Sequence, residues 1–193
     1  MLNKFKNSYL SYLFMYNFYY LSWAIFSALI SVYLMDKGYK PSEVSLVVSA
    51  SFLSSMLTQP IIGMISDRYK VKTINCILFA LAAIGGFLFM FANNLLTLVI
   101  GYSFVLTLLH GTNPIMETIA TASTYAYGKI RIWGTIGYAL GSQLAGLIYE
   151  YISPSAILIT FVVTMAITIF GTYFTDPKDN KPKESKEKTS LLE

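Results

Sequence analysis

The sequence predicts an all-α membrane protein built as a bundle of six transmembrane helices. Of its 193 residues, 55% are hydrophobic and 12% are charged, whereas soluble domains contain about 25% charged residues. The charges are also clustered, so that long stretches contain none: residues 7–35, 44–66, 73–116, 132–149 and 151–175. Because about 20 apolar residues cross the hydrocarbon core, four of these stretches fit one helix each and residues 73–116 fit two.

The connections between the stretches are short and contain polar or helix-breaking residues. The predicted spans are residues 8–35, 43–66, 73–92, 95–122, 130–151 and 154–174, which make up one membrane domain over residues 1–175. Residues 176–193 switch to lysine, glutamate, proline and serine, which predicts a charged cytoplasmic tail. A β-barrel is disfavoured, because barrel strands are about ten residues of alternating polarity and these stretches are uniformly apolar.

The basic residues predict the orientation in the membrane. Six spans put both termini on one side, where 12 of the 14 lysines and arginines lie, and Lys37 and Lys40 lie on the other side. The positive-inside rule therefore places both termini in the cytoplasm of a cell-membrane protein. The net charge of +4 reflects this topology and gives no reason to expect nucleic-acid binding. The first span is too long for a signal-peptide core, so we expect it to stay in the bilayer.

Glu117 is the clearest ionisable residue predicted to lie within the membrane, where a charge costs at least about 2.5 kcal/mol. It belongs to a set spaced by three and four residues on one face of the fourth helix: His110, Asn113, Glu117, Thr121 and Thr124. Pro114 removes a backbone donor beside this face and loosens the helix. A polar face of this kind suits a water-filled cavity, so Glu117 and Asn113 are candidate solute-binding residues.

Arg131 begins the polar face of the fifth helix, which continues through Thr135, Tyr138, Ser142 and Tyr149. We expect Arg131 to face Glu117, either as an ion pair or as a polar clamp that uses the bidentate geometry of arginine. The alternative is a structural ion pair that only locks the two helices together. A functional role is favoured, because buried ion pairs contribute little stability and intramembrane charges usually mark a solute pathway.

The single histidine, His110, and the single cysteine, Cys76, give no indication of a cofactor site. His110 could relay a proton, but a single histidine beside Gly111 is more typical of a hydrogen-bonded contact between helices. Cys76 has no intrachain partner for a disulfide and is interpreted as a packing residue. Because no cysteines, histidines or carboxylates cluster at ligand spacing, neither a metal nor a cofactor is expected.

The first and fifth spans carry aromatic and glycine patterns. The tyrosines nearest the end of span one are expected to form an interfacial aromatic belt. Tyr20, Trp23 and Phe26 lie deeper, where they could stack on a ring-shaped solute or simply pack in the core. In span five, four glycines are expected to allow close helix contact: Gly134, Gly137, Gly141 and Gly146.

The segment Gln59–Arg68 (QPIIGMISDR), followed by Lys70 and Lys72, resembles the signature loop of the major facilitator superfamily. It keeps the glycine, the aspartate and the basic residues of that pattern. The resemblance implies that Gly63, Asp67 and Arg68 belong to a gate that holds the cytoplasmic side closed.

Residues 127–137 (YGKIRIWGTIG) are similar to the start of span five in the lactose-permease-like branch of oligosaccharide and nucleoside proton symporters. The resemblance covers spans one to six, one half of a twelve-helix transporter made of inverted three-helix repeats. It implies a polar solute, Glu117 and Arg131 as the binding pair, Tyr138 as a stacking residue and a proton as coupling ion. It also implies that a C-terminal six-helix half is missing, so we expect a fragment, a truncated product or an isolated half.

Three alternatives are weighed against symport. A drug or metabolite exporter of the same superfamily is disfavoured, because span five lacks the proline-containing glycine motif of proton antiporters. A membrane enzyme that uses Glu117 and His110 is disfavoured, because about 10.5 Å along the helix axis separates them. A non-transporting six-span interaction protein gains weight only if the gene ends at Glu193.

Overall fold

The computed structural model describes residues 6–175, so the tail predicted at residues 176–193 lies outside the described residues. Every long element in the described part is an α-helix, which confirms the all-α class. The helices are α1 (Tyr9–Ser27 and Ile30–Asp36, interrupted at residues 28–29), α2 (Pro41–Arg68), α3 (Val71–Phe89), α4 (Leu95–Thr121), α5 (Tyr127–Tyr151) and α6 (Ala156–Phe174).

Five of these helices, α1 to α4 and α6, are long and apolar enough to cross a membrane. The remaining helix, α5, has 25 residues. At 1.5 Å per residue it is about 37 Å long, enough to span the hydrocarbon core. Its glycines and polar residues make it less apolar than the others, as suits a helix with a polar face.

Local chemistry fixes the turns that lead into α2 and α4. Gly38 adopts a φ of 89° in the turn after α1, a conformation that costs glycine little. At the start of α2, the Glu43 carboxylate accepts a hydrogen bond from the Lys40 backbone amide at 2.8 Å. At the start of α4, the Asn94 side chain accepts one from the Thr97 amide at 2.8 Å.

The helices pack as two equivalent sets of three. Helix α1 packs against α5 and α6, α4 packs against α2 and α3, and α3 packs against α6. Exchanging α1–α3 with α4–α6 leaves this pattern unchanged, as expected for two structural repeats. Because each repeat has three helices, the second begins on the opposite side of the bundle from the first and is inverted relative to it.

Helices α1 and α5 approach most closely at glycines. A Cβ atom at Gly137 would lie 2.2 Å from the Asn17 carbonyl oxygen, and one at Gly141 would lie 2.5 Å from the Leu21 carbonyl oxygen. The predicted role of the span-five glycines is wrong for Gly146, where a Cβ atom would meet nothing within 4 Å. Gly146 follows Gly141 by five residues, which turns it onto a different face of the helix.

The tyrosines at the start of α1 pack inward. Tyr9 donates a hydrogen bond to the Lys129 carbonyl at 2.9 Å and accepts one from Trp133 Nε1 at 2.7 Å. Tyr12 is fully buried and packs edge-to-face on Tyr125, with ring centroids 5.7 Å apart. Both side chains therefore tie α1 to the segment that leads into α5. The predicted interfacial belt is wrong for Tyr12, which is buried inside the bundle, and stays a prediction for Tyr9, which is half-buried.

Candidate functional site

The facing sides of α1 and α4 carry a ladder of three side-chain pairs: Tyr16 with Glu117, Tyr20 with Asn113, and Trp23 with His110. The Tyr20 hydroxyl donates to Asn113 Oδ1 at 3.0 Å, and the Trp23 and His110 ring centroids are 5.0 Å apart. Residue numbers rise along α1 as they fall along α4, so the helices run antiparallel and the pairs follow one another by about one turn. The polar face of α4 thus meets the aromatic face of α1.

Glu117 and Arg131 form an ion pair at one end of this ladder. Arg131 Nε lies 3.4 Å from Glu117 Oε1, and the two side chains are 41% and 32% exposed, respectively. The Tyr127 hydroxyl donates a hydrogen bond to the second oxygen of the same carboxylate. The contact predicted between Glu117 and Arg131 is therefore present, and both charged groups remain accessible from outside the bundle.

Tyr20 connects this ion pair to the ladder. The Arg131 guanidinium lies over the Tyr20 ring, with Cζ 5.1 Å from the ring centroid, inside the range of about 6 Å for a cation–π contact. Gly134 makes room for this arrangement, because a Cβ atom there would lie 2.7 Å from the Tyr20 ring. Tyr20 therefore uses its hydroxyl on Asn113 and its ring face on Arg131.

Tyr16 brings a buried hydroxyl to the same carboxylate. Its side chain is fully buried, and its hydroxyl has no hydrogen-bond partner among the described residues. Glu117 lies near this hydroxyl, but the contact does not have the geometry of a hydrogen bond. Because most buried polar groups in proteins are paired, the Tyr16 hydroxyl is a donor available to the Glu117 carboxylate.

His110 lies between aromatic rings. Its ring packs against Trp23 at an interplanar angle of 58° and stacks on Phe52, where the centroid distance is 5.7 Å and the interplanar angle is 28°. The hydrogen-bonded helix contact predicted for His110 is not formed within the described part of the chain. The physical reason is that its side-chain neighbours from α1 and α2 are the aromatic rings of Trp23 and Phe52, which offer no strong acceptor to the imidazole.

Tyr138 lies away from the ion pair. It is 43% exposed, and within residues 6–175 it makes no side-chain hydrogen bond or ring contact with Arg131, Tyr20 or Trp23. It follows Arg131 by seven residues, which places it about 10.5 Å further along α5. The structure therefore does not bring Tyr138 into the cluster at the ion pair.

The residues predicted to form a gate lie at the end of α2. Asp67 and Arg68 are exposed, and the Asp67 side chain forms no ion pair or hydrogen bond among the described residues. A Cβ atom on Gly63 would meet nothing within 4 Å. Asp67 therefore makes no gate contact among the described residues, and its gating role stays a prediction.

No group of three or more histidine, cysteine or acidic side chains that could hold a metal ion occurs in residues 6–175. Cys76 is a half-buried free thiol near the start of α3.

Three contributors to the site were not predicted from the sequence, and one residue was misplaced. Tyr16 lies four residues before Tyr20 on the same helix face, a spacing that could have identified it. Tyr127 precedes Arg131 by four residues, a spacing that puts both on one helix face and could have identified it. Phe52 lies in an apolar run that gives no comparable signal. Thr124 follows the end of α4 at Thr121, so it does not extend the polar face as predicted.

Comparisons with known proteins give a consistent picture. The sequence profile of the Major Facilitator Superfamily matches residues 12–193. A sucrose permease of Escherichia coli is 28% identical over 184 residues, which cover 88% of this chain and 43% of that protein. An Escherichia coli K12 protein named "Probable 3-phenylpropionic acid transporter" is 27% identical over 161 residues, covering 79% and 42%.

A third relative is the quinolone resistance protein NorA of Staphylococcus aureus, which is 29% identical over 125 residues, covering 62% of this chain and 32% of that protein. The chain spans less than half the length of these curated relatives. The names of the first two describe transport, and none of the three names an enzyme.

Proposed function

Because this chain belongs to the major facilitator superfamily, we propose that it carries a small polar solute across the membrane by alternating access. The observation that carries this proposal is the exposed ion pair between Glu117 and Arg131, with its Nε to Oε1 distance of 3.4 Å. A carboxylate and a guanidinium side by side can accept and donate hydrogen bonds to the same hydroxylated solute.

The geometry around the pair favours a binding role over a purely structural one. Arg131 is more than one third exposed, and an ion pair in such a position contributes about 0–1 kcal/mol to stability. Three aromatic side chains with polar ends, Tyr16, Tyr20 and Tyr127, surround the two charges. Tyr20 and Asn113 already hydrogen-bond to each other and are placed to orient a solute at Arg131.

The polar side chains of the site and the relatives support a hydroxylated solute. A sucrose permease is among the related proteins, and the Glu117, Arg131 and Asn113 side chains suit the hydroxyl groups of a sugar or nucleoside. Trp23 and Tyr138 offer ring faces for stacking on such a solute. We assign a proton as the coupling ion, and we assign symport, in which the proton and the solute cross the membrane in the same direction.

Alternating access requires a second set of helices and a gate. We propose that this six-helix unit works with a second six-helix half, because transporters of this fold place the solute between two such halves. Gly63, Asp67 and Arg68 are the proposed gate at the end of α2. Family membership and the apolar helices make this a multi-pass membrane protein, and we propose the plasma membrane with both termini in the cytoplasm.

Uptake by cells that produce the protein from its complete reading frame tests this function. Cells are given labelled sugars and nucleosides, with and without a proton gradient, and Arg131→Ala is compared with Lys129→Ala. Lys129 is an exposed cation two residues away on the same helix, so it controls for lost charge. We expect gradient-driven uptake that Arg131→Ala abolishes and Lys129→Ala preserves. Equal uptake by both variants would remove Arg131 from the binding site.

Export is the second candidate function, and the similarity to NorA is the observation that favours it. The uptake assay distinguishes the two directions. An exporter would lower the intracellular level of a solute when the proton gradient is applied, whereas a symporter would raise it.

A further inference from the structure

Five side chains from four helices form one continuous row of contacts across the site, stacked at Phe52–His110 and Trp23–Tyr20 and tilted by 58° at His110–Trp23. Phe52 of α2 stacks on His110 of α4, His110 packs on Trp23 of α1, Trp23 stacks on Tyr20, and Tyr20 lies under Arg131 of α5. The successive distances between centres are 5.7, 5.0, 5.9 and 5.1 Å. The row therefore runs from an aromatic end at Phe52 to a charged end at Arg131.

The two ends are separated along the helices. His110 precedes Glu117 by seven residues, so the aromatic end lies about 10.5 Å from the carboxylate along α4. The aromatic end is also open, because Phe52 is 58% exposed and Trp23 and His110 are only partly buried. A solute held at Arg131 alone would leave this aromatic surface uncovered.

Tyr138 lies at about the same level along the helix axes as the aromatic end. It follows Arg131 by seven residues on α5, and α5 runs antiparallel to α4, so Tyr138 and His110 are displaced in the same direction from the ion pair. The exposed ring of Tyr138 thus provides a second aromatic surface at this level. This accounts for its distance from the Glu117 cluster.

We infer that the site has two parts and takes an amphipathic solute about 10 Å long, whose polar head binds at Glu117 and Arg131 and whose aromatic ring stacks on Trp23 and Phe52. This inference rests on the proposed transport function. The head is a hydroxylated ring or a carboxylate, since either can pair with the guanidinium. The tail is a flat ring, because offset and edge-to-face contacts between rings are favourable at centroid distances of about 4.5–7 Å.

Fluorescence of Trp23 tests the inference directly. The chain has two tryptophans, so Trp133→Phe leaves Trp23 as the only reporter. The full chain in lipid vesicles is titrated with 4-nitrophenyl glucoside and galactoside, whose nitrophenyl group quenches nearby tryptophan. The methyl glycosides of the same sugars compete for the site, and phenylacetate and acetate form the carboxylate arm. The glycosides form the sugar arm, and comparing the affinities of the sugar and carboxylate arms identifies the head group.

We expect the aryl compound to bind about tenfold more tightly than its methyl partner, equivalent to ~1.4 kcal/mol, and to quench Trp23. Phe52→Ala should remove most of this preference. Phe87→Ala, which deletes another exposed phenylalanine, on α3, should leave it unchanged. Arg131→Ala should lower the affinities for the aryl and methyl compounds by the same factor.

Equal affinity of aryl and methyl compounds, with binding that still depends on Arg131, would overturn the two-part site and leave the proposed function standing. Aryl binding that persists in Arg131→Ala would also overturn it, because the head would then bind elsewhere. Absence of binding in both arms would contradict this inference and the proposed function together.

Discussion

Replacing Gly137 with alanine tests the closest contact between α1 and α5. The new Cβ atom would lie 2.2 Å from the Asn17 carbonyl oxygen, whereas favourable contacts between heavy atoms lie at about 3.5 Å or more. The helices must therefore separate by about 1 Å. Backbone atoms cannot rotate away as a flexible side chain can, and the separation also strains the hydrogen bond from Asn17 Nδ2 to the Trp133 carbonyl, at 3.2 Å.

The expected loss of stability follows from three terms. Overpacking costs about 1–3 kcal/mol, and a weakened hydrogen bond costs up to about 1.5 kcal/mol. Alanine returns up to about 1 kcal/mol through its higher helix propensity. The net destabilisation therefore lies between about 0 and 4.5 kcal/mol and is centred near 2 kcal/mol. A loss of about 2 kcal/mol lowers the melting temperature of a chain of this size by about 4–8 °C.

The single cysteine provides the assay. Cys76 is half-buried in α3, so a fluorogenic thiol reagent reports its exposure as the detergent-solubilised protein is heated. Gly146→Ala is the matched control on the same helix, because a Cβ atom there meets nothing within 4 Å. Its melting temperature should be unchanged or higher. If Gly137→Ala melted at or above the temperature of Gly146→Ala, the close helix contact would be refuted.

Two further predictions concern the site and the gate. Tyr16→Phe removes a buried hydroxyl without a hydrogen-bond partner among the described residues and should leave thermal stability unchanged or higher. Tyr19→Phe, which removes a 2.6 Å hydrogen bond to the Leu109 carbonyl, should cost about 1–2 kcal/mol; equal melting temperatures would contradict this assignment. Asp67→Asn should favour the inward-open state and speed thiol labelling of Thr121→Cys in a Cys76→Ser background, with Asp67→Glu as control. Unchanged labelling with normal transport would exclude Asp67 from the gate.

The fold was predictable because it depends on composition. Charge-free stretches of sufficient length define membrane helices whatever their neighbours, since the bilayer requires every backbone group to be paired within the helix. The proximity of Glu117 and Arg131 was predictable for a related reason. Two opposite charges near the same end of adjacent membrane helices have few other partners.

The side-chain contacts were less predictable because they depend on which faces meet. Tyr12 has the chemistry of an interfacial-belt residue, and only its packing against Tyr125 shows that it turns inward. His110 has the chemistry of a hydrogen-bonding residue, yet its ring contacts are with Trp23 and Phe52. Gly134, Gly137 and Gly141 lie on the face of α5 that contacts α1, and only this packing shows that Gly146 lies off that face.

The central claim is that Glu117 and Arg131 bind solute and do not serve only as an ion pair between helices. Exchanging the two charges, with Glu117→Arg and Arg131→Glu in one chain, separates these roles. A structural pair needs opposite charges in either order, whereas a solute site needs the guanidinium over Tyr20 and the carboxylate beside Tyr16 and Tyr127. Uptake of the transported solute, with the melting temperature measured in parallel, is the decisive measurement. We predict a melting temperature near that of the unmodified protein and no uptake; uptake by the exchanged variant would contradict a role of the two residues in solute binding.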